Sequence, residues 1–339
     1  MNRAAVLHAA GDLRIEPRPM PSPGPREVLV EIATVGVCGS DVHYYEAGRI
    51  GGFVVEAPMV LGHESSGRVV ALGAEAGRHA VGDRVALEPG VPCGRCRECR
   101  AGRYNLCSDV VFFATPPIDG AFANFLVIHE DFAFSLPDGV SDEAGALMEP
   151  LSVGIWACRK GGVGPGDRVL ITGAGPIGLL AAQVARAAGA TEITVADVNP
   201  HRLEAAVGCG ATRTLKVDKE PLGDVGLEAD VLLECSGHPD SLRDGIRALR
   251  PAGTAVVVGM GTGEEASVPL AFLQTNEIWL TGTFRYASTY PTAIALTAAG
   301  RVDPEAIITG RFGLEDTEAA LRAGREDPRS VKAMVAPGQ

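Results

Sequence analysis

Four cysteines fall within residues 93–107, spaced Cys93-x2-Cys96-x2-Cys99-x7-Cys107. Four thiolates in so short a loop match a closed tetrahedral zinc site. Core packing explains them poorly, because Arg95, Arg97, Glu98, Arg100 and Arg103 surround them. A closed site leaves no coordination position for a substrate, so a zinc ion here is expected to be structural. A catalytic metal needs an open position. Cys38, His63, Glu64 and Glu149 offer a thiolate, an imidazole and carboxylates that suit such a zinc, with water or substrate completing the shell. Taken singly, each of these four residues is a weak signal.

A second chemistry is written in Gly173-Ala174-Gly175-Pro176-Ile177-Gly178. The first glycine allows a tight turn, and the second lets the backbone approach a pyrophosphate. The third lets helix and strand pack closely, and the helix N-terminus favours anionic phosphates. Asp197 lies 24 residues beyond Gly173. A carboxylate there accepts hydrogen bonds from both adenosine ribose hydroxyls and repels a 2′-phosphate, which favours NAD over NADP. Arg202 complicates this, since a nearby arginine tolerates that phosphate.

These motifs need elements to hold them. Arg168–Thr172 reads as a buried strand before the glycine turn. Ile177, Leu180, Ala181, Val184 and Ala188 recur at helical spacing, and Gly189 ends the helix. Further strands are expected at residues 192–196, 230–234, 254–258 and 277–281, with helices between. That alternation predicts a parallel, doubly wound sheet. The first half reads as β-rich, with short apolar runs such as residues 28–32 divided by Gly, Pro and Asp. Pro17, Pro19, Pro21, Pro23 and Pro25 mark an extended loop rather than a helix. The tail from about residue 285 lacks the regular alternation. Two domains are expected: 1–150, with a metal lobe at about 88–108, and 151–284, followed by a tail at 285–339.

With 339 residues, 46% of them hydrophobic and 21% charged, the chain has globular composition. Its formal net charge of −12 disfavours nucleic acid and anionic membrane as partners. This argues against the rival reading of the cysteine lobe as a nucleic-acid-binding zinc ribbon. No apolar stretch reaches the roughly 18 residues a membrane span needs, and the start of the chain does not read as a signal peptide. Eight cysteines without an export signal argue for metal rather than disulfides. The expectation is a cytoplasmic protein, with Cys158, Cys209 and Cys235 as packing residues.

Residues 58–67, Pro-Met-Val-Leu-Gly-His-Glu-Ser-Ser-Gly, followed by Val81-Gly82-Asp83-Arg84-Val85, resemble the signature of zinc-dependent medium-chain dehydrogenases. The stretch 38–43, the cysteine lobe and the glycine turn follow in that family's order, so the resemblance covers nearly the whole chain. Within the superfamily, residues 37–45, 111–117, 148–154 and Phe284-Arg285-Tyr286 are most similar to sorbitol (L-iditol) and xylitol dehydrogenases. The resemblance implies an α/β protein: a GroES-like, partly barrel-shaped catalytic domain, a Rossmann domain, and a tail that returns to the first domain.

It also implies roles for particular residues. Cys38, His63 and Glu64 resemble catalytic zinc ligands, and Glu149 resembles the acid that joins the metal or holds its water. Ser40 and His43 resemble a proton relay. Tyr44, Phe112, Thr115, Glu149, Arg285 and Tyr286 resemble the substrate set. Gly259, Met260, Phe284 and Arg285 join the glycine turn, Asp197 and Arg202 as the cofactor set. The implied activity is oxidation of a secondary alcohol of a polyol to the ketose with NAD, using two zinc ions per subunit in a homotetramer. Some animal relatives lack the cysteine lobe, which this chain keeps. The residues leave other roles open: Ser40 as a turn residue, His43 as an ordinary histidine, Arg285 as a structural ion-pair partner, Tyr286 as core. Two other functions stay open as well. One is a zinc dehydrogenase for threonine, a butanediol or another secondary alcohol, and the other is a binding protein that kept the fold without catalysis.

Overall fold

The computed structural model describes residues 2–261 and 265–338. It divides into two compact units, one of residues 1–149, 290–298 and 308–339, the other of residues 150–289 and 299–307.

The first unit is built on two β-sheets around a shared core. Glu27–Gly36 is the organising strand of the larger, seven-stranded sheet. It pairs antiparallel with Glu64–Leu72 along most of its length, with Phe125–His129 at its start and with Lys332–Ala336 at its end. Val28, Val30 and Ile32 point into the core while Glu31 stays exposed, following the two-residue period of a strand, and a register shift between Ile32 and Thr34 brings Val35 into the core as well. Asn2–Ala9, Asp12–Arg18 and Met59–Val60 form the smaller sheet. Its Val6, Leu7 and Val60 meet Val28 and Val30 in one buried cluster. Pro17 falls inside the Asp12–Arg18 strand rather than in a loop. That strand lies at the edge of its sheet, where a missing N–H costs no ladder bond.

The second unit carries a six-stranded sheet, parallel throughout. Across the sheet the strands run Arg213–Lys216, Glu192–Asp197, Arg168–Thr172, Ala229–Glu234, Leu249–Val257, Trp279–Gly282. In chain order this is 3-2-1-4-5-6, the doubly wound arrangement, which reverses between Arg168–Thr172 and Ala229–Glu234. Leu170, Ile171, Leu232 and Leu233 are fully buried, because a parallel sheet covered on both faces needs apolar runs rather than alternation. The helix Pro176–Ala188 has proline at its first turn and ends at Gly189, whose φ of 99° is left-handed. Every residue from Gly178 to Ala185 is buried. Part of the reason is the helix Met148–Gly161, whose Gly154 lies so close that an added Cβ would stand 3.1 Å from the Ala181 backbone.

The tail is more regular than its sequence pattern suggests. Tyr290–Ala298 is helical, and Ile308–Gly313 and Lys332–Ala336 form a parallel pair joined by the helix Thr317–Glu326. Both strands are short, six and five residues, so their period is hard to read. Residues 299–307 stay with the second unit, where the Gln183 side chain donates to the Asp303 carbonyl at 2.9 Å and accepts the Asp303 N–H at 2.7 Å.

Candidate active site

Cys38 stands at the N-cap of the helix Gly39–Ala47, directly after the Glu27–Gly36 strand. His63 and Glu64 follow Gly62, whose φ of 88° turns the chain. A Cβ at Gly62 would sit 2.9 Å from the Phe122 ring, so this turn requires glycine. The result is convergence: the Cys38 sulfur, one His63 ring nitrogen and one Glu64 oxygen all lie within 4.8 Å of one another. A thiolate, an imidazole and a carboxylate this close form a donor set suited to zinc, with room in a tetrahedral shell for a fourth ligand.

Two groups unnoticed in the sequence hold the trio. Asp41 is completely buried; its carboxylate accepts the Cys38 N–H and the Gly62 N–H, each at 2.9 Å, and lies 3.7 Å from His63 Nδ1. It thereby fixes the backbone at both approaches to the metal donors. Lys332, from the last strand, is buried against Glu64, its Nζ donating to both carboxylate oxygens at 2.8 and 2.7 Å. Burial opposes charge on both His63 and Lys332. For His63 the neighbouring Cys38 and Asp41 outweigh it and hold the pKa well above the ordinary value; for Lys332, Glu64 and Cys38 outweigh it and raise the pKa. Both shifts record the negative charge of Cys38, Asp41 and Glu64 concentrated at one buried place, which a bound cation would also compensate.

Glu149 is buried in the first turn of Met148–Gly161 and stands outside the trio. Its charge still raises the pKa of both Lys332 and Glu88. Of the remaining residues in this unit, Ser40 is half-buried, His43 exposed and Tyr44 buried on one short helix. Phe112 is buried with its ring centroid 5.8 Å from that of His63, and Thr115 is half-buried. Phe284, Arg285 and Tyr286 belong to the second unit. There the Arg285 guanidinium lies over the Phe284 ring at 4.8 Å, and Tyr286 is buried.

The cysteine lobe brings all four sulfurs within 4.8 Å of one another. Cys96 and Cys99 sulfurs are 3.4 Å apart, Cys93 and Cys99 sulfurs 4.0 Å, and all the cysteines are free of disulfides. Backbone N–H groups point at the sulfurs: Cys93 N–H to Cys107 Sγ, Cys96 N–H to Cys93 Sγ and Cys99 N–H to Cys96 Sγ, each at 3.4 Å. Such donors favour thiolates, and those of Arg95 and Cys96 draw the Cys93 thiol down to about 6. The lobe therefore fits a zinc ion with four sulfur ligands.

In the second unit the three glycines of the turn differ physically. Gly173 has φ 91°, and a Cβ there would strike the Ser236 backbone at 2.7 Å. A Cβ on Gly178 would lie 1.9 Å from the Gly173 carbonyl oxygen, so this position is set by helix–strand packing. A Cβ on Gly175 would meet nothing within 4 Å; the space before the helix N-terminus is open, as an approaching pyrophosphate requires. Asp197 ends its strand and accepts the Ala174 N–H at 2.6 Å and the Asn199 N–H at 2.8 Å. Arg202 is half-buried on the next helix, Pro200–Gly208. Gly259 packs against Gly237, where a Cβ would come within 2.3 Å of the Gly237 N–H nitrogen, and Met260 is exposed. Buried Glu234, read in the sequence only as a strand residue, accepts from the Ser236 and Gly237 amides and fixes this loop crossing.

Comparison with known proteins agrees with both halves of this geometry. Residues 24–138 match the alcohol dehydrogenase GroES-like domain, and residues 176–299 match the zinc-binding dehydrogenase domain. The chain belongs to the zinc-dependent medium-chain dehydrogenase family. It is 43% identical to the sorbitol dehydrogenase of Bacillus subtilis, over 99% of this chain and 98% of that protein. Identity to human sorbitol dehydrogenase is 46%, over 93% and 90% of the two chains. Its fold is similar to the crystal structure of Escherichia coli L-idonate 5-dehydrogenase, with TM-score 0.93 and 32% identity over 99% of this chain and 98% of that one. Zinc and a nicotinamide dinucleotide are the cofactors of this enzyme class, and the donor trio, the cysteine lobe and the glycine turn fit them. Among the described residues, no helix is long and apolar enough to cross a membrane.

Proposed function

We propose that the chain is an NAD-linked, zinc-containing polyol dehydrogenase that oxidises a secondary alcohol of sorbitol, xylitol or a similar polyol to the ketose. The observation that carries it is the convergence of Cys38, His63 and Glu64 in a chain that also forms a dinucleotide turn. The polyol assignment draws support from the sorbitol dehydrogenases, at 43% and 46% identity over nearly the whole chain.

In this reading Cys38, His63 and Glu64 hold the catalytic zinc, while Cys93, Cys96, Cys99 and Cys107 hold the structural one. Bound there, the catalytic zinc acts as a Lewis acid on the substrate oxygen. Glu149 accepts the hydroxyl proton, and Ser40 and His43 pass it outward. Glu149 is buried, Ser40 half-buried and His43 exposed, the order of exposure that an outward route needs. Tyr44 and Phe112 wall the substrate, and Thr115, Arg285 and Tyr286 hydrogen-bond hydroxyls beside the reacting carbon. Gly173, Gly175, Pro176, Ile177 and Gly178 hold the pyrophosphate, Asp197 the ribose, and Arg202, Gly259, Met260, Phe284 and Arg285 the rest of the cofactor.

We further propose a cytoplasmic homotetramer. Self-association is supported by the outer strand Trp279–Gly282, which ends the parallel sheet with Trp279 74% and Leu280 42% exposed. An apolar sheet edge of this kind is a ready partner for another chain.

The test is NADH formation from NAD with sorbitol, xylitol, galactitol, threonine, 2,3-butanediol and a simple secondary alcohol, with and without a zinc chelator. Chelator-sensitive turnover of a polyol is expected. Turnover confined to threonine or the diol would overturn the substrate assignment and keep the chemistry. No turnover by protein that holds zinc and binds NAD would favour a binding protein.

A further inference from the structure

The ammonium of Lys332 has three donors, and each finds an acceptor: Glu64 Oε1 at 2.8 Å, Glu64 Oε2 at 2.7 Å and the Val37 carbonyl at 2.8 Å. Val37 immediately precedes Cys38. Its own N–H donates to the Ala333 carbonyl at 2.9 Å, so the last strand grips Val37 from both sides of the peptide. The register places Gly36 opposite Glu64 on one flank and opposite Met334 on the other. A Cβ on Gly36 would stand 2.1 Å from Glu64 Oε2. The Glu64 carboxylate therefore occupies a seat with a cation on one side and a missing side chain on another.

From this geometry we infer that Lys332 and Gly36 are positioning residues of the catalytic metal centre, which hold Glu64 directly and Cys38 through Val37. This inference rests on the reading of Cys38, His63 and Glu64 as a zinc site. A carboxylate offers about four lone-pair positions. Lys332 takes two and leaves others for a metal, so the pair restrains Glu64 without consuming it. A buried lysine at 2% exposure is costly unless paired, and its pairing here is specific to one metal donor. The seat is also remote from the local motif, since 268 residues separate Lys332 from Glu64. The last strand is thus part of the metal centre as well as of the sheet.

The test uses the full-length, zinc-loaded chain and its two zinc ions as mutual controls. Zinc content and zinc release to a competing chromophoric chelator are measured for wild type, Lys332→Met and Gly36→Ala. Lys332→Met removes the cation, whereas Gly36→Ala crowds the same carboxylate and leaves every charge in place. In both variants the cysteine-lobe zinc is expected to stay bound, while affinity for the other falls by about 10- to 100-fold, the usual effect of losing a partner behind a metal ligand. Second-site affinity equal to wild type in both variants would overturn the inference and leave the zinc site standing. Loss of both zinc ions together would overturn it as well, since Lys332 would then serve the fold at large. A wild-type chain that holds only the lobe zinc would overturn the metal site itself.

Discussion

Tyr104, inside the cysteine lobe, donates its hydroxyl to Glu88 at 2.7 Å and ties the lobe to the end of the Arg84–Leu87 strand. Glu88 is 2% exposed, and its Oε2 is buried with no hydrogen-bond partner among the described residues. Burial pushes its pKa up to about 7, against the Tyr104 bond and with a further push from Glu149. The folded state therefore keeps a proton that the unfolded chain gives up near pH 4.5. Stability from this group is complete below pH 4.5, falls as pH rises to about 7, and is level above. The total loss is on the order of 3 kcal/mol. Glu88→Gln keeps an acceptor for Tyr104 and cannot ionise. Its stability relative to wild type is expected to improve between pH 5 and pH 8 by about 1–3 kcal/mol in urea unfolding. Any fixed cost of burying the amide affects both pH values equally. An identical difference at the two pH values would show that Glu88 does not titrate in the folded chain.

Cys38→Ser separates catalysis from cofactor binding. Serine is a poor zinc donor at neutral pH, and the trio loses its only sulfur. Polyol oxidation is expected to fall by about 100-fold or more, the value of several kcal/mol of Lewis-acid assistance. NAD affinity, read by quenching of protein fluorescence, is expected to change less than about threefold, since the glycine turn belongs to the other unit. Turnover that survives the substitution would place the catalytic metal elsewhere.

Cys96→Ser addresses the lobe. Its loss opens the four-sulfur site, and metal analysis is expected to find one zinc per chain in place of two. Because such ions contribute directly to folding, the unfolding temperature is expected to drop by about 5 °C or more. An unchanged unfolding temperature with one zinc missing would argue that the lobe does not support the fold.

The local features of this protein were legible because their residues are neighbours in sequence. Cysteines separated by two and seven residues, and glycines around a strand–helix turn, state their geometry directly. The parallel sheet was legible for a related reason: its buried strands are unbroken apolar runs. Asp41 escaped notice although it lies three residues from Cys38, because a carboxylate that caps backbone amides looks like any helix-start aspartate. Glu234 was concealed in a strand for the same reason. Lys332 gave no signal, since a lysine in a short terminal strand reads as solvent-facing and its partner lies far away in sequence. Groups that ligate have characteristic residue types, whereas the groups that hold them have only positions, which the fold alone supplies.

The preference for NAD proposed for the second unit rests on Asp197. Its two oxygens already take the Ala174 and Asn199 amides, which anchors the carboxylate at the edge of the glycine turn. Lone pairs remain for ribose hydroxyls, while its negative charge would repel a 2′-phosphate. Asp197→Asn keeps an acceptor for the Ala174 N–H and removes that charge. Arg202, the arginine or lysine nearest to Asp197 in sequence, keeps its charge, and its Nε is buried with no hydrogen-bond partner among the described residues. The ratio of kcat/KM for NADP over NAD is expected to rise by about tenfold or more, as removal of roughly 1.4 kcal/mol or more of repulsion requires. Steady-state kinetics with each cofactor at a fixed polyol concentration reads it. A rise that disappears when Arg202→Ala is added would assign the new tolerance to Arg202. An unchanged ratio in Asp197→Asn would mean that Asp197 serves the turn alone and that cofactor choice is made by other residues.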